Sequence, residues 1–261
     1  MFRNEFREHE IRSLLCEKVR NIKIIALDKT GSTNDDLKKA AREGENEICL
    51  LVADSQTAGK GRKGRSFFSP DSTGIYMSFL LRPELTPEAA TLLTTAAAAA
   101  TAVAIEKITG ISAGIKWVND IFIGGRKVAG ILTEGSASGD RLLWAVVGIG
   151  INLSPPQSGF PEEIRDIAGT LCENADEWIR NRLIAEITEL FLSYCEDLQS
   201  RAYLESYRSR LFFLGREVTV TEAETSYTAV AEDIDSMCRL KVRLSDGSIK
   251  TLLSGEISIK L

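Results

Sequence analysis

The chain has a single histidine, His9, among its 261 residues. A Ser-His-Asp triad or a histidine-based metal site would have to rest on that one side chain. It lies in a charged N-terminal stretch that suits a solvated helix face, so both are set aside. Cysteine is also scarce. Cys16, Cys49, Cys172, Cys195 and Cys238 are odd in number and contain no C-x-x-C spacing. That argues against a disulfide framework or a zinc site and fits a reducing cytoplasm. No G-x-x-x-x-G-K-[ST] is present, so any nucleotide site is not a Walker P-loop. A run of about 18 apolar residues is missing, as is the apolar core of a signal peptide, and no membrane contact is expected. Excess positive charge is lacking too: the net charge is −5 and the pI about 5.2. Dedicated nucleic-acid binders are usually basic. The twenty-odd residues before the first strand are also too few for a DNA-reading module. No specific DNA binding is expected.

What is present is an ordinary packed core, with 44% apolar and 26% charged residues. The length fits one large domain, or a medium one plus a small one. The most distinctive stretch runs from Gln56 to Arg65. Lys60, Arg62, Lys63 and Arg65 are separated by Gly59, Gly61 and Gly64. Each glycine costs a helix about 1 kcal/mol relative to alanine, so the stretch reads as a loop. Close backbone N–H groups and mobile cations suit a polyanion. A solvated basic loop, or a contact with a nucleic-acid backbone, would look the same in isolation. On an acidic chain, a small anionic ligand is the better fit.

Around this loop the pattern alternates. Phe6, Ile11, Leu14, Leu15 and Val19 predict an amphipathic helix over 5–20. A strand follows over 22–27, and Ser32-Thr33-Asn34 then caps a helix through Ala41. Strands are predicted over 48–53 and 74–81. A helix capped by Thr86, with Pro87 first, continues into an alanine-rich run whose small side chains allow close packing on a sheet. Residues 115–123 read as strand, polar break, strand, and Gly124-Gly125 turns a hairpin into 126–134. The next strand, 142–152, carries Gly148 and Gly150, where another group should approach closely. A helix over 176–199 presents Trp178, Leu183, Ile187, Leu190, Phe191 and Tyr194 as its buried side, and a shorter helix ends near Leu211. From Gly215 onward, short strands predict a small barrel leaning on the rest.

Cations recur at 60–65, at Lys116 beside Trp117, and at Lys127, with Asn119, Asp120 and Asn152 among them. One acid among amides suits a single Mg²⁺ bridging phosphates. Phe67 and Trp117 offer surface for a purine.

These motifs resemble, in family order, those of bacterial biotin–protein ligases. They are Ser32-Thr33-Asn34, Gln56 to Arg65, Lys116 to Asp120, Gly125 to Leu132 and Gly148 to Asn152. Lys60 stands for an arginine, Val118 for a proline, and Phe67 where an aromatic, commonly tryptophan, is usual. The resemblance implies an α+β fold with a central mixed sheet flanked by helices, like the class II synthetases. It places a catalytic domain at 1–212 and an SH3-like β-barrel at 213–261. It implies a form without an N-terminal DNA-binding domain. The implied reaction joins biotin to MgATP as biotinyl-5′-AMP and then transfers biotin to a lysine of the biotin carboxyl carrier domain of acetyl-CoA carboxylase or a related enzyme. Implied biotin contacts are Ser32, Thr33, Asn34, Gln56, Gly59, Lys60, Gly61, Arg62, Lys127, Gly130, Gly148 and Gly150. Implied ATP or adenylate contacts are Lys60, Arg62, Arg65, Phe67, Lys116, Asn119, Lys127 and Asn152. Lys127, Arg62, Lys116 and Asp120 would be catalytic, with Asp120 also the candidate Mg²⁺ ligand or the partner of the incoming lysine. A homodimer is a further possibility. Lipoate–protein ligase shares the fold and reaction type, and a non-catalytic biotin-binding protein is a third reading.

Overall fold

A computed structural model describes residues 8–174, 176–222, 225–253 and 255–259. Its centre is a seven-stranded mixed sheet in the order β1-β2-β3-β7-β6-β5-β4. The strands are β1 (Lys23–Thr30), β2 (Cys49–Gln56), β3 (Gly74–Leu81), β4 (Gly114–Lys116), β5 (Asp120–Ile123), β6 (Arg126–Ser138) and β7 (Arg141–Asn152). Only β1 and β2 pair in parallel; the other neighbours are antiparallel.

Period-2 alternation decides what each face meets. On one face, Leu50 and Val52 of β2, Ile75, Met77 and Phe79 of β3, and Val147, Ile149 and Ile151 of β7 join the main core. Three helices cover that side: α1 (Glu8–Leu14), α3 (Ala90–Thr109) and α4 (Glu177–Glu196). The alanine-rich middle of α3 is buried, so the expected close packing on the sheet is seen. By length and composition Pro87–Thr109 is apolar enough to cross a membrane, which corrects the reading that no such segment exists. Most of that segment is buried inside the fold. On the opposite face, α2 (Thr33–Arg42) covers only one end of the sheet, through Leu37 and Ala41 against Leu51, Leu80, Trp144 and Val146. The rest of that face is left for the site.

After α5 (Leu204–Arg208), a five-stranded antiparallel sheet forms in the order β11-β10-β9-β8-β12. Its strands are β8 (Glu217–Glu222), β9 (Thr225–Ile234), β10 (Leu240–Arg243), β11 (Ile249–Leu252) and β12 (Glu256–Ser258). This is the expected SH3-like unit, and it does lean on the main body. Val218, Val220, Ala231 and Val242 belong to the same core as Ile115 and Trp117.

Several expectations need correction. The first helix stops at Leu14 instead of reaching residue 20, and Phe6 lies outside the described residues. Arg20 turns back to donate to the Leu15 carbonyl at 2.9 Å, and the Cys16 N–H is taken by the Glu189 carboxylate. Those groups are satisfied without another helical turn. Thr86 makes no side-chain cap, and Pro87–Ala89 is a 3₁₀ turn before α3. Trp178 is 59% exposed, not buried. It shares an outward face of α4 with Arg182, four residues on, whose guanidinium lies 5.6 Å from the indole centroid.

Candidate functional site

Three glycines on adjacent strands open the uncovered sheet face. Gly130 of β6 pairs with Gly150 of β7, and Leu132 pairs with Gly148. A Cβ at Gly148 would lie 2.2 Å from Asn34 Oδ1, and one at Gly150 would lie 2.6 Å from the Phe67 ring. A Cβ at Gly130 would come within 3.2 Å of Lys127 Nζ. The close approach expected at Gly148 and Gly150 is therefore made by side chains of this chain. Above this floor is a cavity of about 530 Å³. Every residue implied to bind biotin or ATP, or to be catalytic, lines it except Gly59. A Cβ at Gly59 would sit 2.4 Å from the Phe67 carbonyl, whose own N–H donates to Gly59 at 2.9 Å. Gly59 closes the loop upon itself; it does not face the cavity.

One end of the cavity is neutral and polar. Ser32 caps α2, which places Thr33 and Asn34 at the helix start, nearly buried. Gln56, at the end of β2, accepts the Thr33 N–H at Oε1 (2.9 Å) and donates to Ser69 (3.0 Å). Ser78, buried in the middle of β3, lies 2.7 Å from both Thr33 Oγ1 and Asn34 Oδ1. Ser78 was missed in the sequence, although it is the one serine within the apolar strand Gly74–Leu81.

The other end is cationic. Lys127 Nζ lies 2.6 Å from Asp120 Oδ1, which also accepts from Asn119 Nδ2 at 3.0 Å. Asn119 Nδ2 reaches the Ile131 carbonyl at 2.9 Å, and Asn119 Oδ1 accepts from Arg62 at 2.8 Å. Burial lowers the Lys116 ammonium from its ordinary range, against the pull of Asp120. Asn152 donates to the Gly169 carbonyl at 3.1 Å. The backbone of Lys127 is bracketed by the Ile167 carbonyl and the Gly169 N–H, both at 2.8 Å. That bracket comes from 164–169, a segment with no motif, whose part in lining the site was not legible.

The glycine-rich loop borders the cavity and is tied by ion pairs. Each cation faces a partner and not another cation. Lys60 meets Asp35 at 2.7 Å, Arg65 meets Glu256 of β12 at 2.9 Å, and Lys63 approaches Glu256 at 3.8 Å. Burial raises the Glu256 carboxyl, but the Arg65 hydrogen bond and the surrounding cations outweigh it, and the net shift is downward. Trp117 lines the cavity yet is largely buried, and its indole N–H donates to the Cys238 carbonyl at 2.9 Å, tying the site to the C-terminal sheet. The Val118 carbonyl, at the position of the expected proline, accepts from the Tyr207 hydroxyl at 3.0 Å.

No group of three His, Cys, Asp or Glu side chains among the described residues is placed to hold a metal ion. Asp120 stands in this cavity as a carboxylate already in contact with Lys127. One carboxylate suits an octahedral cation whose other ligands are phosphate oxygens and water.

A mixed sheet joined to a small antiparallel sheet thus carries a two-ended cavity under a glycine-rich cationic loop. The chain belongs to the biotin/lipoate A/B protein ligase family, matching it over residues 27–152, and it matches the biotin protein ligase C-terminal domain over 213–260. It is 34% identical to the bifunctional ligase/repressor BirA of Bacillus subtilis (strain 168), covering 97% of this chain and 78% of that protein. A biotin--[acetyl-CoA-carboxylase] ligase of Mycobacterium tuberculosis is 29% identical, covering 85% of this chain and 82% of the relative. Among solved structures, the Aquifex aeolicus biotin protein ligase in complex with biotin and ATP superposes with a TM-score of 0.70 at 32% identity, over 90% of this chain and 97% of that one.

Proposed function

We propose that this chain is a biotin–protein ligase, an AMP-forming enzyme. It condenses biotin with MgATP to biotinyl-5′-AMP and pyrophosphate, then passes the biotinyl group to a lysine of a carboxyl carrier domain, releasing AMP. The observation that carries this reading is the division of one cavity into a neutral hydrogen-bonding end and a cationic end. The Ser32, Thr33, Asn34 and Gln56 end, backed by the buried Ser78, suits an uncharged polar ring. Lys116, Lys127, Arg62 and Arg65 suit a carboxylate meeting a triphosphate. Asn34 packs over Gly148 and Phe67 over Gly150, two residues further along the same strand.

The first step brings two anions together, and their repulsion is the main electrostatic obstacle. Lys127 is assigned to the carboxylate–phosphate junction, where a fixed cation stabilises developing charge. Lys116 and Arg65 are assigned to the phosphates, Arg62 to the adenylate, Phe67 to stacking, and Asn119 and Asn152 to the adenosine. Mg²⁺ enters with ATP, and Asp120 is its candidate protein ligand. In the second step Asp120 is the alternative candidate partner of the attacking lysine. The loop from Gln56 to Arg65 shields the mixed anhydride from water. Residues 1–212 act as the catalytic unit and 213–261 as the SH3-like unit that buttresses it.

The test is exchange of labelled pyrophosphate into ATP with biotin or lipoate as the acid. Exchange that depends on biotin supports the reading. Exchange that depends on lipoate alone replaces it with lipoate–protein ligase.

A further inference from the structure

We propose that Asp35 is a positioning residue that latches the glycine-rich loop onto α2 through Lys60, and that Lys60 serves the closure of this loop and does not hold the phosphates. This rests on the ligase reading above. The loop is a small hairpin. Lys60 bridges Ser66, the Gly61 N–H donates to the Arg65 carbonyl at 2.7 Å, and the Phe67 N–H donates to Gly59 at 2.9 Å. Lys63 and Gly64 turn it, at φ of 56° and 74°. Its base is sewn by backbone bonds to the end of β1, from the Thr57 N–H to Thr30 at 3.0 Å and from the Ala58 N–H to Gly31 at 2.8 Å. Toward the turn, side chains make the ties: Lys60 to Asp35 at 2.7 Å, Arg62 to Asn119 at 2.8 Å and Arg65 to Glu256 at 2.9 Å.

Arg62 and Arg65 are assigned to the adenylate and the phosphates, so an anionic ligand competes for them with Asn119 and Glu256. Lys60 stands apart. Asp35 follows Thr33 and Asn34 in the first turn of α2, so it draws Lys60 toward the neutral end of the cavity. The helix N-terminus there also favours a carboxylate. Asp35 Oδ1 meets Lys38 at 2.9 Å as well, and Lys38 meets Glu134 at 2.5 Å. With the loop shut, the carboxylates of Asp35 and Glu134 face the ammoniums of Lys38 and Lys60, and the cluster is neutral. With the loop open, Lys60 leaves and Lys38 is shared between both carboxylates. Closure therefore restores neutrality beside the end that takes an uncharged ring. Burial raises the Asp35 carboxyl, but its hydrogen bonds to Lys38 and Lys60 outweigh this, and the net shift is downward, so it is ionised at neutral pH. This tie lies away from the cationic end and can stay closed while Arg62 and Arg65 turn to a ligand. That property suits a latch that retains a bound adenylate.

The experiment follows two readouts on the full chain: tryptic cleavage after Arg62, Lys63 and Arg65 without ligands, and escape of the adenylate formed from biotin and MgATP. Cleavage tracks how often the loop opens. Asp35→Asn keeps the size of the side chain and removes its charge. It should speed both cleavage and escape about three- to fivefold, with the single-turnover rate of adenylation within about twofold of the unsubstituted chain. Asp35→Glu keeps the charge and should hold both readouts within about twofold. Lys60→Gln should match Asp35→Asn, and the two together should be no worse than either alone. If Lys60 held a phosphate, Lys60→Gln would slow adenylation with or without Asp35 and the losses would multiply, and that result overturns the assignment. Cleavage and escape at the unsubstituted rates in Asp35→Asn overturn it too. A merely structural weakening of α2 would lower the melting temperature and add to the effect of Lys60→Gln, which also contradicts the latch. A chain that forms no adenylate would overturn the ligase reading, while ligand-free cleavage still tests the latch by itself.

Discussion

Lys127 Nζ and Asp120 Oδ1 lie 2.6 Å apart over Gly130, where a Cβ would stand 3.2 Å from the ammonium. The pair is half-buried at the cationic end of the cavity, and it holds the lysine over the sheet instead of letting it extend into solvent. A cation held this way needs little reorganisation when charge develops beside it.

Lys127→Ala should therefore cripple adenylate formation far more than biotin binding. Losses of this electrostatic kind reach about 3–4 kcal/mol, or roughly a hundred- to a thousandfold in rate. Single-turnover adenylation at the unsubstituted rate would remove Lys127 from the junction.

Gly148→Ala tests the floor. The new methyl would fall 2.2 Å from Asn34 Oδ1, and the backbone of a central strand cannot retreat far. Overpacking of this kind costs about 1–3 kcal/mol, and displacement of Asn34 should also weaken biotin binding. A crystal structure of the variant with Asn34 unmoved would contradict this.

Much of this floor was legible in the sequence, because a glycine inside a strand announces a neighbour. β3 runs over the expected residues 74–81, and the hairpin at Gly124-Gly125 has both glycines at positive φ, 55° and 77°. What the sequence did not reveal depends on tertiary partners. The end of α1 is set by Arg20 and Glu189, and the exposure of Trp178 by which side of α4 meets the sheet. Glu256 is about 190 residues from the loop it pairs with, beyond any local pattern. Gly59 belongs to the recognised motif, yet its space is filled by the loop's own backbone, which no spacing rule distinguishes from a ligand contact.

The ion pairs of the loop are exposed on at least one side, and such pairs contribute only about 0–1 kcal/mol each. Trypsin should accordingly cut near Arg62, Lys63 or Arg65 before other sites, and biotin with MgATP should slow that cleavage markedly. Equal cleavage with and without ligands would mean that the loop does not close over them.

Asp54 gives the fold a pH dependence. Burial, followed by a hydrogen bond with Asp71, raises its carboxyl from 3.8 to about 7, against the pull of Arg180. Between those values the folded state binds more protons than the unfolded one, so this group's contribution to stability falls as pH rises from about 4 to 7. Asp54→Asn should flatten that slope in denaturant titrations. An unchanged slope would assign it to other groups.

The most direct measurement is incubation of the chain with labelled biotin, ATP, Mg²⁺ and a biotin carboxyl carrier domain. The account predicts label on one carrier lysine, dependent on ATP, with one AMP and one pyrophosphate released per biotin attached. An unlabelled carrier in the presence of all components, or label that appears without ATP, would contradict it.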